Sequence, residues 1–231
     1  MSRRRTSTVV ASLVVGAAVV GGTLLAHAHP ASPTAAGPAS RNAAPAPSTA
    51  VSPTGVKGGV MLQVHSPGTV ADDLPLTPGQ CHVRVIDGKA GLVLPDASCT
   101  PGAVDPAVTQ ANIATTICSH GYTATVRPPS SNTGAFKHRS LLEYGMTYKP
   151  TIEYDHLVSL ELGGANSVSN LFPEPNAASA KGVNNPKDLV ENALNQAVCT
   201  HKVTLAAAQQ AIATDWTTAE RMLGLPSTTG R

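Results

Sequence analysis

The chain is poor in aromatic residues and in charge. Of its 231 residues only 3% are Phe, Trp or Tyr, with a single Trp, and 13% are charged. A core built on stacked rings is excluded. Apolar packing has to come from Ala, Val and Leu, and cross-links would offset so thin a core. Surplus positive charge is also lacking. The formal net charge is +2, but three of the 16 Lys and Arg residues are Arg3, Arg4 and Arg5, ahead of an apolar run at 9–26. Without those three, 13 remain against 14 Asp and Glu, a net of −1. Bulk attraction to nucleic acid is therefore excluded as a means of recognition, and any such binding rests on a local site. No CxxC pair occurs among the four cysteines, which argues against zinc.

What the N-terminus does contain is a basic start, the apolar run, and Ala26-His27-Ala28. That order is the pattern of a secretory signal peptide over residues 1–28. An uncleaved anchor is the alternative, because the run approaches the ~20 residues that span a bilayer. Gly16, Gly21 and Gly22 weaken it as a stable helix and favour cleavage. Either way the remainder is expected outside the cytoplasm, secreted or associated with the cell envelope. After cleavage no stable membrane association is expected. Residues 29–56 are mostly Pro, Ala, Ser, Thr and Gly and read as a disordered linker. An even cysteine count on an exported chain predicts two disulfides. Three pairings of Cys81, Cys99, Cys118 and Cys199 are open. The preferred one joins Cys81 to Cys99 and Cys118 to Cys199, since each pair then lies within one segment.

The patterning predicts an α+β protein. Residues 57–99 read as a small β-rich unit, with strands over 60–64, 82–86 and 92–94 and a turn at Asp87-Gly88. Residues 100–225 read as a mainly helical domain, followed by a tail over 226–231. Asp105-Pro106 predicts a helix start with Val108, Ala111, Asn112 and Thr115 along one face. Residues 122–126 predict a short strand, and Leu141, Leu142 and Tyr144 a helical turn ending at Gly145. Leu189, Val190, Ala193, Leu194, Ala197 and Val198 form a helical stripe after Pro186. Thr204 predicts the cap of a further helix carrying Ala208, Ile212, Trp216, Ala219 and Leu223.

Within the helical domain, residues 152–160 are strand-like and lead into Gly163-Gly164. A return follows at Asn170-Leu171-Phe172-Pro173, and then a helix start near Asn184. The spacing D-H-x-x-x-L-x-x-G-G-x-x-x-x-x-N-L-x-P from Asp155 to Pro173, with N-x-x-K at 184–187, resembles the HNH (ββα-metal, His-Me finger) endonuclease superfamily. From about residue 100 to 224 the chain also resembles a family of secreted actinobacterial HNH-like proteins. The phrases that carry this include Val126-Arg127-Pro128-Pro129, Leu171-Phe172-Pro173-Glu174-Pro175 and Lys187-Asp188-Leu189-Val190-Glu191-Asn192.

The resemblance implies a ββα-metal motif embedded in the C-terminal domain and a secreted nuclease hydrolysing phosphodiester bonds in DNA or RNA. It implies Asp155 and Asn184 as oxygen ligands of Mg²⁺ or Mn²⁺, the hard-ion chemistry that carboxylate and amide oxygens suit. His156 would be the general base and Asn170 the residue that holds the loop or orients His156. Lys187 would contact phosphate or pair with an acid, and Arg127 would contact phosphate. Asn176, Asn185 and Asp188 are alternatives to Asn184, because 173–183 is long for a compact motif. Glu161 and Glu174 read as exposed acids beside the site, and Glu191 fits a solvated helix face. Neighbours on a regular strand point to opposite faces, so Asp155 and His156 need local distortion to reach one phosphate. The second functional class open to the same sequence is a non-catalytic extracellular or cell-envelope binding protein on an HNH-like scaffold.

Overall fold

The computed structural model describes residues 61–181 and 185–230. The expected signal peptide, the linker, residues 57–60 and the expected ligand Asn184 lie outside the described residues.

Runs of short strands and runs of helices succeed one another along the described chain, as in an α+β protein. Four strands come first: β1 (Leu62–Gln63), β2 (Arg84–Asp87), β3 (Leu92–Leu94) and β4 (Ala103–Val104). β2 and β3 form the antiparallel hairpin expected around Asp87, whose Oδ1 accepts from the backbone N–H of Lys89 and Ala90. The Cys81–Cys99 disulfide closes its foot. β1 lies parallel to β4 and so joins the start of the described chain to the segment after Cys99.

Two expectations in the next stretch are corrected. The helix after Asp105-Pro106 is a 3₁₀ turn over Gln110–Thr115 whose one buried residue is Ile113, with Val108 and Ile117 buried on either side of it. Ala111 and Thr115 are exposed. The Asn112 side chain causes the tightening: it accepts from Thr109 N–H and donates to the Ala107 carbonyl, competing with regular helix bonds. Residues Tyr122–Val126, expected as a strand, form the short helix α1. Gly121, at φ +82°, turns the chain, and the Val126 carbonyl accepts from Gly68 N–H and Asn166 Nδ2. The β-branched residues here have no strand edge to pair with, so local propensity yields.

The helix α2 (Ser130–Glu143) is far longer than the turn expected near Leu141. Polar residues in its first turns hide its periodicity, and it is fastened by side chains. Asn132 Oδ1 accepts from Val70 N–H, Lys137 Nζ donates to the Ile152 carbonyl, and Arg139 grips Asp72 with both terminal nitrogens. Lys137 and Arg139 are thereby engaged.

An antiparallel hairpin follows, β5 (Ile152–His156) against β6 (Leu171–Pro175), in regular register from Ile152↔Pro175 to His156↔Leu171. Next come α3 (Lys187–Cys199), α4 (Leu205–Asp215), capped by Thr204 Oγ1 as expected, and α5 (Ala219–Met222). Of the expected α3 stripe, Val190, Leu194, Ala197 and Val198 are buried, but Leu189 is 54% exposed. Leu189 lies off the side that faces the hairpin, and Lys187 and Glu191 take that side instead. The single helix expected through Leu223 breaks after Asp215: Ala208 and Ile212 of α4, Trp216 in the turn and Ala219 of α5 are buried as expected, while Leu223, beyond α5, is only partly buried.

One core joins the β-rich stretch to the helices. Leu92, Leu94 and the Cys81–Cys99 bridge pack in the same cluster as Leu157, Phe172, Val190, Leu194, Ile212 and Trp216. The indole N–H of Trp216 donates to the Val93 carbonyl at 2.7 Å, linking the end of α4 to β3. The second disulfide, Cys118–Cys199, ties the end of α3 to the 3₁₀ segment, so both pairs match the preferred pairing.

The loops these bridges close differ in length, 81 against 18 residues of separation. Loop-closure entropy predicts that replacing Cys118 and Cys199 with Ala costs about 4 kcal/mol and replacing Cys81 and Cys99 about 3 kcal/mol. Urea unfolding of the two double variants checks this, and the opposite order would refute the entropic account.

Candidate functional site

The β5–β6 hairpin has two faces set by its register. Glu153 and Asp155 share one with Phe172 and Glu174, while Tyr154 and His156 share the other with Leu171 and Pro173. No register shift breaks the alternation, so Asp155 and His156 point to opposite sides and the expected distortion is not present.

On the first face the start of α3 comes down onto the strands. Asn185 Oδ1 accepts from Lys187 N–H at 2.9 Å and its Nδ2 donates to Glu153 Oε2 at 3.3 Å. The Lys187 side chain is wholly buried. Its Nζ donates to Asp155 Oδ2 at 2.5 Å, to the His156 carbonyl at 2.6 Å, and to Glu191 Oε1 one helical turn on. An ammonium has three N–H donors, and here all three are used. Lys187 therefore takes the second of its two expected roles, pairing with acids.

Glu174 completes this set. It is fully buried, and neither of its carboxyl oxygens receives a hydrogen bond. Burial raises it well above the ordinary carboxyl value, and the neighbouring Asp155 carboxylate adds to the rise. Burial pushes Glu191 up to about 8 despite Lys187 beside it. Burial also works to raise Asp155, but the Lys187 charge outweighs it and holds Asp155 below its usual range. Glu174 and Glu191, expected as solvated acids, are interior residues. The signal available for Glu191 was its place one turn after Lys187, flanked by the apolar Val190 and Leu194. Nothing local marked Glu174.

On the second face, His156 Nε2 lies 2.9 Å from Asn166 Oδ1. The Asn166 amide nitrogen already donates to the carbonyls of Ser66 and Val126, at 2.9 and 2.8 Å. Its oxygen is therefore the acceptor, and His156 carries its proton on Nε2, leaving the Nδ1 lone pair available. Burial lowers the imidazole to about 4, so it is neutral at physiological pH. Sequence reasoning missed Asn166, because a loop asparagine gives no periodic signal.

Asn170 does not touch the imidazole. It is fully buried and fastens the loop between the strands. Its Oδ1 accepts from Val158 and Ala103 N–H, at 2.9 and 3.3 Å. Its Nδ2 donates to the Val158 and Ala165 carbonyls, at 3.0 and 2.9 Å. Its own carbonyl accepts from Leu157 N–H, next to His156. The two glycines of this loop are both needed. Gly163 has φ +71°, and a Cβ on Gly164 would lie 1.7 Å from the Val158 carbonyl oxygen.

Arg127 is exposed at the end of α1, and its charge acts on His156, Glu153, Glu161 and Asp188. Glu153 is raised to about 7, first by burial and then by Asp155 and Asp188. Asn176 is buried just past β6, where its N–H donates to the Thr151 carbonyl.

The oxygens around Asp155 are of the type a hard divalent ion takes. They are already turned on Lys187, however, and among the described residues no group of three or more His, Cys, Asp or Glu is arranged to hold a metal. With Lys187 in this position the donors at Asp155 do not fit a resident Mg²⁺ or Mn²⁺. No protein-family model, no curated protein and no solved structure matches this chain.

Two outcomes follow from these contacts. Asn170→Ala strands two N–H groups and two carbonyls in the interior, and is expected to cost about 3 kcal/mol or more by urea denaturation. A cost under about 1 kcal/mol would show that the loop is held by other means. The second concerns acid. Between His156's folded value near 4 and the ordinary 6.5, the unfolded chain takes up a proton that the folded one refuses. Stability contributed here is lost as pH falls through that window. His156→Gln should flatten the fall in urea midpoint between pH 6.5 and 4; an unchanged slope would mean that His156 titrates normally.

Proposed function

We propose that this chain is an extracytoplasmic nuclease of HNH type that hydrolyses phosphodiester bonds in DNA or RNA, with His156 as the general base. One observation carries the reading: a neutral imidazole at the end of β5, oriented through Nε2 by Asn166, with its Nδ1 lone pair free to take a proton from water. Asn170 keeps the loop that presents it, and Arg127 is the exposed cation within reach of a phosphate. The two disulfides support an oxidising compartment, and no described helix is long and apolar enough to cross a membrane. The divalent ion that the resemblance implies enters here only as a variable of the assay, because the described donors at Asp155 are engaged with Lys187.

A second reading has its own support. His156 is only 6% exposed and Lys187 is sealed, so substrate has to come to a nearly closed site. A non-catalytic binding protein on the same scaffold has no need of an open one.

The test incubates purified protein with supercoiled plasmid and with single-stranded RNA, in Mg²⁺, in Mn²⁺ and in chelator. Cleavage is expected in at least one condition, falling about 100-fold or more in His156→Ala and with the fold retained by circular dichroism. Retention of nucleic acid on a filter without cleavage would favour the binding protein. The absence of both cleavage and retention in every condition would sink the nuclease reading.

A further inference from the structure

We infer that the Lys187 ammonium is the built-in cation of the Asp155 site and stands where the HNH resemblance places a divalent ion. The donors around it are all oxygens: Asp155 Oδ2, the His156 carbonyl and Glu191 Oε1. A hard divalent ion and an ammonium compete for that set, and the ammonium holds it with every N–H engaged. Its position on the helix makes the pairing specific. Lys187 is the first residue of α3, where the free N–H groups of the helix end disfavour positive charge. A lysine sealed there is held by the carboxyl groups of Asp155 and Glu191, not by the helix dipole.

Glu174 supplies the independent observation. Its carboxyl group is fully buried beside Asp155, with no donor to either oxygen. Four oxygen-bearing groups, Asp155, Glu174, Glu191 and the His156 carbonyl, thus surround one side chain that reaches in from α3. Shortening that side chain leaves a cavity lined by hard donors, with nothing positive inside. The inference therefore has two parts: the native protein needs no metal at Asp155, and removal of the ammonium uncovers a site for a hard divalent cation. It rests on these contacts and not on whether the site cuts nucleic acid.

Manganese binding tests it on the full chain, by electron paramagnetic resonance of free Mn²⁺ and by calorimetric titration. The native protein is expected to take up no Mn²⁺ that depends on Asp155. Lys187→Ala is expected to gain one bound Mn²⁺ per chain and to lose it again in Lys187→Ala/Asp155→Asn. The Lys187→Ala protein should also melt lower in chelator and recover with Mn²⁺. A variant that folds only when Mn²⁺ is supplied counts as the same result. If Lys187→Ala fails to fold under every condition, the native chain against Asp155→Asn decides alone, and no Asp155-dependent uptake upholds the inference. One Mn²⁺ bound by the native protein and lost in Asp155→Asn overturns it. So does a folded Lys187→Ala that binds none.

Discussion

An ammonium group sealed from water is unfavourable by several kcal/mol unless each of its protons finds an acceptor and its charge a counter-charge. Lys187 meets both conditions, and the way it does so governs the geometry of the C-terminal half. Its contacts reach β5 through Asp155 and the His156 carbonyl, and they reach back to its own helix through Glu191. The first turn of α3 is therefore held at one distance and one rotation over the hairpin. The same rotation turns Val190, Leu194 and Val198 into the core and brings Cys199 to Cys118. Leu189 faces water for the same reason.

The other half of the site depends on a neutral fastening. Asn170 joins three separate pieces of backbone, at Ala103, Val158 and Ala165, and the Gly163-Gly164 pair lets those pieces approach closely. Asn166 then projects from a loop that cannot shift, so its oxygen has one available partner, the His156 ring. Charged bonds on one face and amide bonds on the other hold a single strand between them. An imidazole on one side and a carboxylate on the other end up fixed without touching each other.

Much of this was legible beforehand, where the information is local. The β2–β3 hairpin follows from turn chemistry at Asp87-Gly88, α3 and α4 from apolar periodicity, and the Thr204 cap from a hydroxyl ahead of a helical run. The disulfides are the pairing that segment boundaries favoured among the three the sequence left open. Where the reading went astray, a distant partner had overruled a neighbour. Residues 122–126 have strand-like side chains but no strand beside them, and Asn112 drew its own backbone into a tighter turn. Glu174 reads as a surface acid until Asp155 and Lys187 are placed next to it.

The order strand, glycine loop, strand, helix, and the presence of Asp155, His156, Asn170 and Lys187 within it, were set by the sequence alone. Those features depend on residue type and spacing, which the chain carries wherever it folds. Tertiary structure decided what the residues do to one another: that Lys187 faces acids, that Asn166 and not Asn170 meets the imidazole, and that Glu174 and Glu191 lie inside. Those outcomes turn on which groups lose water together. Desolvation belongs to the packed arrangement and not to any stretch of chain.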